Sequence, residues 1–270
     1  MHPFRYLALS ILLGLSSLSA CVSISTPINP TPTPDASTAP NPSASSNTAP
    51  NPSASSSPGS SNVEQGLPLG TALYLPFDTE APTDDTSRRI SWTTDRFGKA
   101  NAAYNFSGVG SYLNVDYNIN PGVHPALTMS AWARYTPQPD TSQETSYKLI
   151  SHAYVYSDRG MGISSTPAGR GWAMEIGFDS IGAAPVTANQ WVQVTSVYDQ
   201  AQKRAVLYVN GEEITQSTEA ELGSNDYSYF LVGSNPGYGE HFPGDIDDVR
   251  IYERALSKEE VKALYNATKP

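Results

Sequence analysis

The chain predicts an all-β sandwich or barrel closed by one short helix. Three observations carry this. From residue 67 onward, short runs of alternating apolar and polar residues are separated by Gly, Pro, Asn and Asp, with no long helical period among them. Asn210-Gly211 stands between two strand-like runs and supplies the positive φ that a two-residue hairpin turn requires. Ser257-Lys258-Glu259-Glu260 has the spacing of a capping box and is followed by Val261, Leu264 and Tyr265 on one helical face.

Ahead of this domain lie two segments of different character. Residues 1–20 carry Arg5, an apolar run from Leu7 to Leu15, and small residues before Cys21, the pattern of a cleaved export signal; the run is too short to span a bilayer. Leu18-Ser19-Ala20-Cys21 resembles a lipobox, which implies acylation of Cys21, the single cysteine, and a two- or three-chain membrane anchor. Val22 in place of Asp after that cysteine resembles lipoproteins released to an outer membrane or the cell surface. Residues 21–66 are dominated by Pro, Ser, Ala, Thr and Asn and repeat TAPNPSASS at 38–46 and 48–56. Too little apolar surface is available there to offset ordering entropy, so a tether reaching roughly 100 Å, at ~3 Å per residue, is expected.

Within residues 67–270, strands are expected at 72–77, 102–106, 112–115, 127–135, 148–152, 172–178, 191–198, 204–209 and 246–252. In the fourth of these, Leu127, Met129, Ala131 and Ala133 share one face and Thr128, Ser130, Trp132 and Arg134 the other. In the last, strict alternation puts Ile246, Asp248 and Arg250 on one face and Asp247, Val249 and Ile251 on the other, so two adjacent aspartates cannot both enter the core.

Six stretches taken in order are similar to one family: LYLPFD (73–78), FGKANAAYNFSGVGSYLNV (97–115), LTMSAWARY (127–135), QWVQVTSVYDQ (190–200), AVLYVNGEEI (205–214) and GDIDDVRIYERALSKEEVKALYN (244–266). They resemble laminin-G-like, concanavalin A-like jelly-roll domains. The resemblance implies two facing antiparallel sheets, with the last strand pairing beside the first at the sandwich edge and Asp247 near Asp78. It further implies a structural calcium ion held by Asp78, Asp247 and the carbonyl of Gly98, since calcium accepts irregular sets of 6–8 oxygens. From the residues alone, Asp78 capping a turn and Asp247 or Asp248 pairing with Arg250 stand as the alternative.

Enzymes on this jelly-roll carry paired carboxylates on one strand face. In WAMEIGFD (172–179), Glu175 shares its face with Gly177, and Asp179 stands four residues on, which departs from that pattern. His2, His124, His152 and His241 are too scattered for zinc, and nucleotide-binding loops are absent from the sequence. No catalytic residue is therefore expected. A net charge of −10 argues against nucleic acid and is compatible with neutral glycans and calcium. The remaining expectation is recognition: a monomeric, surface-anchored lectin-like domain that binds a glycan or glycosylated surface through Tyr154, Tyr156, Arg159, Tyr238 and His241 on Tyr- and Gly-rich loops. A protein-protein adhesion or envelope module with a stabilising calcium is the alternative, and a carbohydrate-active hydrolase or lyase ranks behind both.

Overall fold

The computed structural model describes residues 66–78, 89–138, 146–152, 159–177, 179–223 and 227–270. In chain order its strands begin with β1 (Thr71–Leu75), β2 (Ile90–Thr93), β3 (Ala103–Ser107), β4 (Leu113–Val115), β5 (Ala126–Tyr135), β6 (Tyr147–His152), β7 (Arg159–Thr166) and β8 (Gly169–Ile176). They continue with β9 (Asp179–Ala184), β10 (Trp191–Asp199), β11 (Arg204–Val209), β12 (Glu212–Ser217), β13 (Phe230–Val232), β14 (Ser234–Asn235), β15 (Glu240–His241) and β16 (Pro243–Tyr252), and the helix α1 (Lys258–Thr268) follows.

Two sheets form the jelly-roll-like sandwich. The first runs β12-β11-β10-β5-β16-β3-β2, and β1 also joins β16. The second runs β14-β15-β6-β7-β8-β9, with β13 bridging β4 and β6. The core between them contains Phe106, Leu127, Met129, Met161, Trp172, Met174, Val194, Phe242 and Ile246. Leu127, Met129, Ala131 and Ala133 line it as the alternation of β5 requires.

The opposite face of the first sheet is covered by α1. Val261 and Leu264 pack with Val197, Val206, Tyr208, Tyr252 and Leu256 in a second apolar cluster, and Trp132 stacks on Tyr265 with centroids 5.9 Å apart. The capping box fixes where this helix starts: the Glu260 amide donates to Ser257 Oγ at 3.2 Å, and the Ser257 amide donates to Glu260 Oε2 at 2.9 Å. Ser257→Ala is expected to cost about 1 kcal/mol, read as a lower urea midpoint at unchanged m.

The hairpin forms as its residues require: Val209 pairs with Glu212, and Asn210 and Gly211 take φ of 52° and 73°. The expected alternation of the last strand does not hold. Asp247 faces Trp132 and Arg250 faces Ser130, so Asp248 and Val249 together oppose Ala131, a β-bulge. Asp248 takes φ +51°, a left-handed conformation that aspartate tolerates better than β-branched residues. The bulge follows from the apolar spacing: Ile246, Val249 and Ile251 all enter the core, and one extra residue must be absorbed between the first two. Nor does β16 close an edge. It pairs with β5 on one side, and with β3 and then β1 on the other, which leaves its whole length buried.

Candidate functional site at the joined chain ends

Antiparallel pairing of Leu73 with Ile251 and Leu75 with Val249 carries the end of β1 toward the bulge of β16. The turn between β2 and β3 meets them there. Asp95 builds that turn: its Oδ1 accepts from the Phe97 amide at 2.9 Å and the Lys99 amide at 2.8 Å, and Gly98 adopts φ +85°. The result points Arg96 inward, with 4% of its side chain exposed, and leaves Phe97 56% exposed. Between these pieces opens a pocket of about 430 Å³, lined by Tyr74, Asp78, Arg96, Phe97, Lys99 and Asp248 among others.

Arg96 organises the floor. Its Nη1 donates to Asp247 Oδ2 and its Nη2 to Asp248 Oδ2, both at 2.5 Å, while Nε donates to the carbonyl of Thr268 at 2.7 Å. The guanidinium also lies 4.5 Å from the centroid of the Phe97 ring and 5.0 Å from that of Trp132. Arg250 sits 3.3 Å from Asp248 Oδ2 and 3.9 Å from the Tyr74 centroid. The Tyr74 hydroxyl donates to Asp248 Oδ1, and Lys99 pairs with Asp78 at 3.3 Å on the exposed rim.

Two buried carboxylates therefore share one guanidinium. Burial, followed by the charge of Asp248, pushes Asp247 up to about 8 against the pull of Arg96. Burial and Asp248 likewise raise the Tyr74 phenol. Because the folded-state value of Asp247 lies above its ordinary 3.8, its contribution to stability is fully present below that value and is lost as pH rises through about 8. The unfolding midpoint is expected to decline over this window in the wild type, and Asp247→Asn, which cannot ionise, to flatten the decline.

Asp78 and Asp247 thus meet at one pocket, as the family resemblance implies, but the set does not fit calcium as folded. Asp247 and Asp248 are bound to Arg96, Asp78 to Lys99, and the Asp95 carboxylate holds two turn amides. Gly98 serves the turn through its backbone conformation. Among the described residues no group of three or more His, Cys, Asp or Glu side chains is disposed to hold a metal ion.

The other expected site residues are dispersed. Arg159 is fully buried and corrects the expectation of a ligand contact: its guanidinium donates to the carbonyls of Ile119 at 3.0 Å and His124 at 2.5 Å and lies against Tyr198, so it fastens the framework. Tyr238, 57% exposed, ends a single 3-10 turn after β14. His241 Nδ1 lies 2.6 Å from Ser234 Oγ, and burial lowers its basicity. His241 belongs to the second sheet and Tyr238 to the turn that leads into it, and neither lines the pocket at the joined ends. Tyr154, Tyr156 and Cys21 lie outside the described residues. Glu175 is buried against Lys148, which also reaches Glu240 at 3.4 Å and Ser164 Oγ at 3.4 Å. Glu175 pairs across the β8–β9 hairpin with Ser180, and Asp179 with Ile176.

Arg96, Tyr74 and Phe97 were not singled out from sequence. The available signal was the turn-forming Asp95-Arg96-Phe97-Gly98, together with two C-terminal aspartates that Arg250 alone could not neutralise.

The chain is similar to several known proteins. A curated relative, adhesion G-protein coupled receptor V1 of Danio rerio, is 26% identical over 219 residues, which is 75% of this chain; the chain spans about 3% of that protein's length. Among solved structures, the binding domain of Paraclostridial Mosquitocidal Protein 1 aligns over 68% of this chain and 47% of its own, at 21% identity and a TM-score of 0.49. Domain 4 of the GH43 extracellular arabinanase AbnA from Geobacillus stearothermophilus aligns over 72% and 87%, at 18% identity and a TM-score of 0.47. A putative carbohydrate binding protein from Bacteroides ovatus aligns over 60% and 46%, at 21% identity and a TM-score of 0.47. The model of the concanavalin A-like lectin/glucanases superfamily matches residues 107–262, more than half of the chain. Asp247, Asp248 and Arg250 lie inside that stretch and the Arg96 turn before it, so the pocket joins a segment shared with the family to one outside the match, and the chain belongs to the concanavalin A-like lectin/glucanases superfamily.

Proposed function

We propose that the domain is a carbohydrate-recognition module held out from a membrane by a lipidated Cys21 and its Pro- and Ser-rich tether, and that it takes sugar at the joined-ends pocket. The observation that carries this reading is the pair of half-exposed rings at the pocket mouth, Tyr74 at 44% and Phe97 at 56%, each backed by a guanidinium on one side. Backing of this kind fixes a ring in place and leaves its other surface free for the apolar C–H face of a pyranose or furanose. Asp78 and Lys99 at the rim supply an acceptor and a donor for ring hydroxyls. A volume of about 430 Å³ suits one or two sugar residues within the usual range of ligand pockets. Tyr154, Tyr156, Tyr238 and His241 are proposed as a separate contact surface, apart from this pocket.

The proposed role is binding: the buried Glu175 carboxylate shares the Lys148 ammonium with Glu240, and this pairing is read as framework packing of the second sheet.

Glycan-array screening of the full chain tests this, with Phe97→Ala as the matched control. Phe97 is exposed, so its loss leaves the fold intact, and losing one stacked ring should weaken binding roughly tenfold. Equal binding by wild type and variant would move the site elsewhere. No glycan retained, with a protein ligand captured instead, would replace sugar recognition by protein-protein adhesion.

A further inference from the structure

We propose that Arg96 is a built-in cation that clasps the last strand to the C-terminal helix, occupying the place a divalent ion would otherwise take between the chain ends. This stands apart from whether sugar enters the pocket. Three features of the geometry argue for it. The guanidinium donates to both aspartates of the β16 bulge at 2.5 Å and, with Arg250 beside Asp248, offsets their charge, the task that a metal would perform there. It does so while 4% exposed, so water does not screen the contact. Its third nitrogen, Nε, donates to the Thr268 carbonyl at the last turn of α1, one of the carbonyls a helix end leaves without an internal partner.

Thr268 extends the clasp into the sheet. Its hydroxyl donates to the Leu264 carbonyl at 2.8 Å and accepts from Trp132 Nε1 at 3.1 Å and Gln193 Nε2 at 2.9 Å. One side chain from the β2–β3 turn thereby ties together β16, the end of α1 and, through Thr268, β5 and β10. The chain has a single cysteine and so no internal disulfide, which leaves this fastening to non-covalent contacts. Lysine could not reproduce it, because a point charge lacks the planar fork that meets two carboxylates and a carbonyl at once.

Calorimetric unfolding of the full chain in millimolar calcium and in chelator, for wild type and Arg96→Ala, decides the matter. The wild-type midpoint is expected to be the same in both. Arg96→Ala is expected to melt several degrees lower in chelator and to regain part of that loss in calcium, because the vacated seat then faces Asp247 and Asp248 with Arg250 as their one remaining nearby cation. A wild-type midpoint that rises by several degrees in calcium would overturn the proposal, since metal would then be the native clasp. An Arg96→Ala midpoint that ignores calcium would overturn it equally, since the guanidinium would then not stand in a cation seat. Should the alanine variant fail to fold in both conditions, Arg96→Gln, which keeps a donor but no charge, takes its place in the same comparison with the same expected outcomes.

Discussion

Replacing Arg96 with alanine is expected to lower the stability of the domain by about 3–5 kcal/mol, because removing one partner of a buried ion pair leaves the other side uncompensated. At roughly 2–4 °C per kcal/mol for a domain of this size, the midpoint should fall by on the order of 10 °C. The loss has identifiable parts: Asp247 and Asp248 remain buried without their shared cation, and the Thr268 carbonyl loses its donor. Urea unfolding at constant m separates this from a change in the denatured state. A loss under about 1 kcal/mol would show that the pair behaves as a screened surface contact.

Lys148→Met should be nearly as costly, about 3–5 kcal/mol, for the same physical reason in the second sheet. Lys148 and Glu175 are 6% and 7% exposed, and among the described residues Glu175 Oε2 has no hydrogen-bond partner. Burial lowers the Lys148 amine while Glu240 opposes that shift. The double variant Lys148→Met with Glu175→Leu removes both charges and replaces them with apolar groups of similar size, so it should recover most of the single-variant loss. A double-mutant cycle read by denaturant midpoints checks this, and a double variant less stable than either single one would contradict it.

Much of the framework was legible because its signals were local. The inward face of β5, the Asn210-Gly211 hairpin and the Ser257 capping box each depend on a few neighbouring residues. The match of last strand to first rested on a family motif and holds in the pairing of Leu73 with Ile251. β7 was not legible, since its RGMGISST reads as loop when glycine and serine dilute the apolar alternation. Yet Met161 and Ile163 reach the core, and Gly162 is required there because a Cβ would stand 2.0 Å from the Tyr147 carbonyl oxygen. β9 and β13 were hidden for a related reason: one is short and glycine-bearing, the other three residues long.

The site was half legible. Asp78 and Asp247 could be brought together through the family resemblance, but the partner that decides their chemistry comes from a turn more than 150 residues away in sequence from Asp247. Nothing in the spacing of the Arg96 turn announces that contact. The bulge was equally obscured, because alternation alone places Val249 beside Asp247, and only the demand of the core for Ile246, Val249 and Ile251 together displaces Asp248.

The most direct test of the joined-ends pocket is an amide chemical-shift titration with the oligosaccharide that binds best on the array. Shifts centred on Tyr74, Asp78, Phe97 and Lys99 are the expected result, with the β6–β8 face unchanged. Shifts confined to Lys148, Ser164 and Glu175, with the Arg96 turn silent, would contradict the account and place recognition on the second sheet.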